Sequence, residues 1–467
     1  MHINVLSMEV VGSDQKGECT LPFFVSRSAN IFMRLSQYLK TYPYEERPGY
    51  LLLLSTRTLS KVLISENTFQ SLKEGIFSSP DEAMLTRLGM LVPDLEEEKR
   101  GVADRFVRAN EQNTTMDIIV VLNLDCNFSC IYCYEASMKG TFHMSESTAY
   151  QLVEFIKDRF TDDKKTLLVD FYGGEPLLSL KIIKLIAREL KSFAESKGAN
   201  YQFSLVTNGS LFKRQVAQDL VQLGLKKVKI TLDGPAEIHD QYRPFKSGVG
   251  SFETIIRNIK ETCDLVKIAI GGNFDRRSWD SFPLLLDFML EQGLTPEKIA
   301  MVKFDPITKQ PDMHPGPLDY QGGCMSVNEP WIAQTSTLLR EEILKRGYQS
   351  RPIQPMFCTA ESTNSYTVNF DGKIYKCPTF VGKKGYDVGD LEKGVQDYSA
   401  SYNLGIWKNE KCLECEYLPI CYGGCRYMTY LRDRNTLGLD CQKAYFDTCL
   451  ESLIKQDIKY GLKASAR

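Results

Sequence analysis

Between residues 116 and 305, short runs of aliphatic residues alternate with longer segments whose apolar residues recur every three or four positions. The short runs predict strands and the longer segments predict helices. This alternation is typical of βα units, and six of them predict an α/β fold with an open, partial (β/α)6 TIM-like barrel. The predicted strands are 118–124, 167–172, 201–206, 227–232, 266–271 and 299–304, with helices at 145–160 and from the second strand to about 197.

The segment before the barrel predicts an α+β domain over residues 1–112. Two short runs rich in aliphatic residues, 50–55 and 59–64, predict a hairpin, followed by short helices from about 66 and over 82–91. This pattern resembles the winged-helix peptide-recognition element of enzymes that modify ribosomally made peptides, in which a strand edge pairs with a leader peptide. A cap packed against the barrel is the alternative. Residues 93–115 are mostly polar and predict a linker.

Composition narrows the function classes. The 467 residues are 43% hydrophobic, as in a soluble globular protein of several domains. A formal charge of -2 provides no general attraction to nucleic acids or anionic membranes. No run reaches the roughly 18 apolar residues of a membrane span, and the N-terminus lacks an export signal, so we expect a cytoplasmic location. Fourteen cysteines in that compartment indicate metal sites rather than disulfides.

Three of these cysteines, Cys126, Cys130 and Cys133, directly follow the first predicted strand. Thiolates this close repel one another unless a soft metal centre neutralises them. Three protein ligands leave one metal position open, whereas a structural zinc or a closed iron–sulfur cluster takes four. A zinc loop with a distant fourth ligand is the alternative. The carboxyl end of a barrel strand is also where α/β barrels place active sites.

The spacing C-x3-C-x2-C, with Tyr132 before the third cysteine, resembles the signature of the radical S-adenosylmethionine (SAM) superfamily. The resemblance implies a [4Fe-4S] cluster whose open iron chelates SAM and whose electron cleaves SAM to a 5′-deoxyadenosyl radical. It also implies SAM contacts in later loops. A GGEP motif would hold the SAM ammonium, and the segment TLDGPAEIHDQYR would contact SAM through a hydroxyl and an arginine. The expected SAM-binding residues are Tyr132, Gly173, Gly174, Glu175, Pro176, Asn208, Thr231 and Arg243.

Simple chemistry supports several of these assignments. Gly173 and Gly174 let bare backbone approach a ligand, and Pro176 is well placed to begin a helix. Arg243 can grip a carboxylate through two nitrogens, although a surface arginine beside Asp240 is the alternative. His239 is predicted to brace its loop rather than to catalyse.

A second cysteine array begins at Cys358 and resembles the SPASM extension, which holds two auxiliary [4Fe-4S] clusters. Two zinc knuckles are the alternative, but they do not account for the Gly372-x4-Cys377 element. By this resemblance the first auxiliary cluster has three clear ligands, and Cys324 is the nearest candidate for a fourth; without it an open iron could ligate substrate. The implied ligands are Cys358, Cys377 and Cys425 for the first cluster, and Cys412, Cys415, Cys421 and Cys441 for the second.

The predicted domains are 1–112, the barrel at 113–310, a bridging segment at 311–350 and the SPASM domain at 351–467. Cys449 is predicted to pack in a helix beginning near residue 442. Relatives with this extension mostly modify peptides or proteins. In sulfatase-maturing relatives an aspartate follows the cysteine that aligns with Cys377, whereas Pro378 stands here.

The resemblance therefore favours a maturase of ribosomal peptides (RiPPs) of the thioether-forming, sactipeptide or ranthipeptide, type. The expected partners are a precursor peptide with a leader sequence and a low-potential electron donor such as flavodoxin or ferredoxin. Carbon–carbon crosslinking, formylglycine formation in a sulfatase and, outside enzymes, a plain iron–sulfur electron carrier are the alternatives.

Overall fold

The computed structural model describes residues 33–308 and 330–462. Cys19, Cys324 and residues 311–329 of the predicted bridging segment lie outside the described residues.

The described N-terminal region contains a three-stranded antiparallel sheet with helices on one face. Leu53, Val62 and Ile64 pack against those helices, while Leu52 and Leu54 face the C-terminal region. The predicted hairpin is confirmed, and the second helix begins three residues earlier than predicted. The elements are β1 (Arg34–Leu35), β2 (Leu39–Pro43), β3 (Tyr50–Ser55), β4 (Lys61–Ser65), α1 (Glu66–Lys73), α2 (Ser79–Arg87), β5 (Leu91–Val92) and α3 (Leu95–Glu111).

The prediction of a linker over 93–115 is wrong, because most of this segment is α3. Its helix begins with Asp94, whose carboxylate accepts a hydrogen bond from Glu97 N at 2.7 Å. Val102 and Phe106, four residues apart, form a narrow apolar stripe that is buried in a cluster with Trp407. The many charged residues on the other faces concealed this stripe in the sequence.

Six parallel strands follow, and they neighbour one another in chain order, as the βα pattern predicts. All six strands overlap their predicted ranges, although the first lies three residues earlier than predicted. The strands are β6 (Thr115–Val121), β7 (Thr166–Tyr172), β8 (Asn200–Thr207), β9 (Leu225–Thr231), β10 (Lys267–Phe274) and β11 (Ile299–Pro306). The helices between them are α4 (Glu146–Arg159), α5 (Leu180–Ser196), α6 (Arg214–Gln222), α7 (Ala236–Tyr242), α8 (Phe252–Thr262) and α9 (Phe282–Glu291).

The two faces of this parallel sheet differ. One face packs against the helices in the main apolar core, for example through Val169 and Ile230. The opposite face, which we call the interior face, carries exposed and half-buried polar residues that alternate with the core positions. These residues include Asp170, Ser204, Lys227, Lys229 and Lys303.

The C-terminal region extends the same sheet. Its first strand pairs in parallel with β6, with Thr367 opposite Ile119, and then turns back in the predicted hairpin. The sheet therefore continues across the boundary predicted at residue 310. The remaining elements are α10 (Pro330–Lys345), β12 (Ser365–Val368), β13 (Lys373–Tyr375), β14 (Asp387–Asp390), β15 (Gly394–Val395), α11 (Glu410–Leu413), α12 (Leu418–Cys421), α13 (Arg426–Asp433) and α14 (Lys443–Lys459).

The last helix joins the N- and C-terminal regions. Phe446, Leu450 and Ile454 of α14 cluster with Leu52 and Leu54 of β3, so the N-terminal sheet rests on the C-terminal region. Cys449 is 1% exposed on this helix, which confirms that it is packed. Over residues 33–308 and 330–462, no helix has both the length and the apolar content that crossing a bilayer demands.

Candidate active site

The loop after β6 holds the three predicted cluster cysteines. Cys126 is 6% exposed, and its Sγ accepts a hydrogen bond from Phe128 N at 3.4 Å. Burial raises the pKa of the Cys126 thiol to about 11 and also raises the pKa of Cys133. Burial by itself would lower the pKa of the Lys139 amine. The negative charge of the nearby Cys133, Cys126 and Cys130 thiolates has the larger opposite effect, so this pKa is raised above its usual value. Lys139 therefore lies beside all three sulfurs, a neighbour that the sequence did not single out.

The GGEP motif lies directly against this loop. Gly174 N donates to Asn123 O at 3.1 Å, and Glu175 N donates to Asp125 O at 2.7 Å. A Cβ on Gly174 would lie 2.2 Å from Asp125 O, and one on Gly173, whose φ is +135°, would lie 2.5 Å from Asn123 O. In this structure the glycines allow the close approach of two backbone segments, and their expected contact with SAM stays a prediction.

Glu175 is fully buried and joins the ends of β7 and β8. Its Oε1 accepts from Thr207 Oγ1 at 2.8 Å and from Leu177 N at 3.0 Å, and its Oε2 accepts from Asn208 N at 2.8 Å. Burial raises the pKa of Glu175, while these hydrogen bonds oppose the shift. Pro176 begins a short 3₁₀ helix that leads into α5, as predicted.

Asn208 links Glu175 and the ends of β7 and β8 to the cysteine loop. Its Nδ2 donates to Asn127 Oδ1 at 2.8 Å and lies 3.9 Å from Cys126 Sγ. Its Oδ1 accepts from Ser210 N at 2.9 Å. The side chain is thus oriented from both ends beside a predicted cluster ligand.

A second buried carboxylate, Asp233, follows β9 and is fully buried. Its Oδ2 accepts a hydrogen bond from Tyr132 Oη, and its Oδ1 accepts from Asn273 N at 2.7 Å. Arg243 Nη1 donates to Tyr132 Oη at 2.7 Å and lies 3.9 Å from Asp233 Oδ2. The sequence analysis missed Asp233, although its place just after a barrel strand was a signal.

Arg243 has a donor left over. Its side chain is 9% exposed, and its buried Nε has no hydrogen-bond partner among the residues that the structure describes. A buried guanidinium donor without a partner is costly, and a carboxylate would satisfy it. This orphaned donor fits the carboxylate of SAM. The alternative reading of Arg243 as a surface residue is wrong.

The remaining sequence predictions in this area concern Thr231 and His239. Thr231 is the last residue of β9, half-buried, opposite Gly271 of β10. His239 is fully buried; its Nδ1 accepts from Asp233 N at 3.1 Å, and its Nε2 lies 3.0 Å from Ser251 Oγ. The expectation that His239 braces the loop is confirmed.

The C-terminal cysteines form two groups that match the predicted ligand sets. Cys425 interacts electrostatically with Cys358 and Cys377, and desolvation of the thiols raises the pKa of both Cys425 and Cys377, although Cys425 is exposed as a residue. In the other group Cys421 interacts with Cys412 and Cys415, and Cys441 with Cys412 and Cys415.

These three groups of thiols can be compared with the clusters they would hold. Over the described residues no three His, Cys, Asp or Glu side chains converge on one ion. A [4Fe-4S] cluster does not require such convergence, since each thiolate binds its own iron. Burial favours neutral thiols in the metal-free protein, so cluster binding would release protons. The three cysteines after β6 suit a [4Fe-4S] cluster with one open iron, and the two auxiliary clusters stay a prediction.

Comparison with known proteins agrees with this geometry. Residues 120–279, which include the cysteine loop, both buried carboxylates and Arg243, match the model of the Radical SAM superfamily. The chain therefore contains a radical SAM domain, and such a domain implies SAM and a [4Fe-4S] cluster.

Three relatives are informative. A cysteine-type anaerobic sulfatase-maturating enzyme of Clostridium novyi is 24% identical over 334 residues, which are 65% of this chain and 85% of the relative. The structure of anSMEcpe with AdoMet and the Kp18Cys peptide has a TM-score of 0.59 at 19% identity, covering 73% of this chain and 98% of the other. Streptococcus suis SuiB bound to precursor peptide SuiA has a TM-score of 0.51 at 16% identity, covering 86% and 98%. The two structures establish a shared fold.

Proposed function

We propose that this protein is a radical SAM peptide maturase that installs a thioether between a peptide cysteine and a carbon of another residue in a ribosomally synthesised precursor. The observation that carries the proposal is the meeting of the cysteine loop with the orphaned Arg243 donor at one end of the sheet. The structural likeness to SuiB, which has been solved with a precursor peptide, supports a peptide substrate.

When bound, SAM and the clusters would supply a 5′-deoxyadenosyl radical and an acceptor for the surplus electron. The chain's own residues would orient these groups. Arg243, held by Tyr132 and Asp233, would bind the SAM carboxylate. Glu175 and Asn208 would hold the strand ends at a fixed distance from Cys126. Substrate would reach the site along the interior face, whose polar side chains are partly exposed.

Formylglycine formation in a sulfatase is the second candidate, because the Clostridium novyi relative is named a sulfatase-maturating enzyme. Pro378 is the observation against it. This residue follows Cys377 and begins a 3₁₀ helix, so the position where sulfatase-maturing relatives have an aspartate offers no carboxylate. The two candidates make different products, and one assay separates them.

The assay uses anaerobically reconstituted enzyme, dithionite, SAM, and synthetic peptides encoded by short reading frames beside the gene. Thioether formation gives one 5′-deoxyadenosine and the loss of two hydrogens per crosslink, with sulfur retained and the thiol no longer alkylated. A retained free thiol indicates carbon–carbon crosslinking instead, and a sulfur-free product that reacts with hydrazide indicates formylglycine. A Cys130→Ala variant serves as the control, because it removes a cluster ligand.

If the protein does not cleave SAM in the presence of dithionite, the proposed enzyme activity is wrong and the alternative function, an iron–sulfur electron carrier, is favoured. The physiological donor in this proposal is a flavodoxin or ferredoxin.

Leader recognition by the N-terminal region is part of the same proposal. Helices and the C-terminal region cover the two faces of its sheet, so a leader would add to a strand edge. The edge strands are β2 and β4, and β2 is the more exposed of the two. Deleting the leader from a precursor peptide that the enzyme modifies should raise KM far more than it lowers kcat.

A further inference from the structure

The interior face has a cluster of cations on β9 and β11, the first and third of the last three parallel strands, together with Arg351 from the segment after α10. Lys229 of β9 interacts electrostatically with Lys227, Lys303 and Arg351, and with one carboxylate, Asp305. That carboxylate already pairs with Lys303, at 2.5 Å. Lys229 itself makes no hydrogen bond or salt bridge within residues 33–308 and 330–462, and three of the four charged groups that act on its ammonium are cations.

The placement of Lys229 is well defined. Val228 and Ile230, its neighbours along β9, are fully buried in the core, so the Lys229 side chain points to the interior face. Its stem lies over β10, because a Cβ on Gly271 would approach Lys229 Cε to 2.7 Å. The Lys229 residue is exposed to solvent, although partial desolvation among the neighbouring strands lowers the pKa of its amine.

The cluster lies close to the reaction centre. Lys229 precedes Thr231 by two residues on the same face, which is about 7 Å along a strand. Thr231 of β9 is opposite Gly271 of β10, and Gly271 is opposite Lys303 of β11. Thr231, Gly271 and Lys303 therefore form one row across the sheet, and Lys229 lies two residues before this row on β9. A substrate on the interior face would pass this row next to SAM.

We propose that Lys229 is a specificity-determining residue that binds a carboxylate of the peptide substrate, close in sequence to the residue that is modified. The inference rests on the proposed function for its substrate class. A carboxylate would offset the repulsion among the cations and give Lys229 the partner that it lacks, as a charge-assisted hydrogen bond. The carboxylate is either an Asp or Glu side chain or the peptide's C-terminus.

The test measures binding of synthetic cysteine-containing heptapeptides to the reconstituted enzyme with SAM. Each peptide carries one Glu at a different distance from the cysteine, with a Gln twin, and each is made with a free and with an amidated C-terminus. At the best spacing we expect the wild type to prefer the carboxylate by about tenfold, the value of one charge-assisted hydrogen bond. Lys229→Met should abolish this preference, and Lys229→Glu should reverse it.

Lys260→Met, an exposed lysine on α8, is the matched control and should leave the preference intact. SAM affinity should be equal in wild type and Lys229→Met. Equal binding of acid and amide peptides at every spacing, a preference that survives in Lys229→Met, or a loss of SAM affinity in that variant would each overturn the inference. Modification of the same peptides is scored separately: products without acid preference refute only the carboxylate site, and acid preference without products refutes only the maturase.

Discussion

Two fully buried carboxylates lie at the carboxyl ends of the parallel strands, and their partners differ in kind. Glu175 accepts hydrogen bonds from Thr207 Oγ1 and from two backbone amides, all of which belong to the sheet and its loops. Asp233 instead holds Tyr132 and Arg243, both predicted to contact SAM. Burial raises the pKa of both carboxyls. A buried carboxylate thus stabilises the sheet and its loops at Glu175, which we call the Glu175 corner, and orients predicted ligand-binding groups at Asp233, which we call the Asp233 corner.

The largest effect is expected from Asp233→Ala. This change leaves Arg243 buried without its counter-charge, so the free energy of unfolding should fall by about 3 to 5 kcal/mol. SAM binding should also be lost. Denaturant unfolding and equilibrium dialysis with SAM measure the two effects. A variant as stable as wild type would mean that Asp233 is not the partner on which Arg243 depends.

Gly174→Ala should come next. Its Cβ would meet the carbonyl of Asp125, a backbone atom that has no rotamer with which to move away. We expect a loss of about 1 to 3 kcal/mol in stability and a lower iron content after reconstitution. Gly101→Ala on α3 is the control, because nothing lies within 4 Å of its added methyl group, and it should be neutral or stabilising.

The isosteric variants Glu175→Gln and Asp233→Asn compare the two corners directly. An amide at Glu175 turns a donor toward Asn208 N or Thr207, so stability should fall by about 1 to 3 kcal/mol with little change in SAM affinity. Asp233→Asn should instead weaken SAM binding by about tenfold through misplacement of Arg243. If Glu175→Gln weakens SAM binding as much, Glu175 contacts the SAM ammonium, as the GGEP resemblance implies.

The smallest expected effect is the pH dependence that His239, which accepts a hydrogen bond from Asp233 N, contributes to stability. Burial, and then Arg243, hold the pKa of His239 well below its usual value. The unfolded chain therefore takes up a proton below about pH 6.5 that the folded chain does not, and stability falls as the pH decreases through that range. The slope is at most about 1.4 kcal/mol per pH unit. Denaturant unfolding at a series of pH values should show a shallower slope for His239→Gln than for wild type.

Local patterns were sufficient for much of the fold. All six barrel strands overlap their predicted ranges, because the buried strands of a parallel sheet appear as short aliphatic runs between helical segments. The hairpin with Gly372 at its turn was equally visible, since its φ of +81° favours glycine. The helix α3 was missed because only Val102 and Phe106 carry its apolar stripe, and their burial depends on the distant Trp407.

The sequence by itself determined the three-cysteine loop, the motifs after the later strands and the presence of a second cysteine array, because ligand chemistry requires particular residue types at short spacings. Only the tertiary structure decided which corner Asp233 serves, that β12 joins β6, and that Lys229 lies within a cluster of cations. These contacts join residues far apart in the chain, so their energies depend on packing and charge at a distance, which no local pattern records.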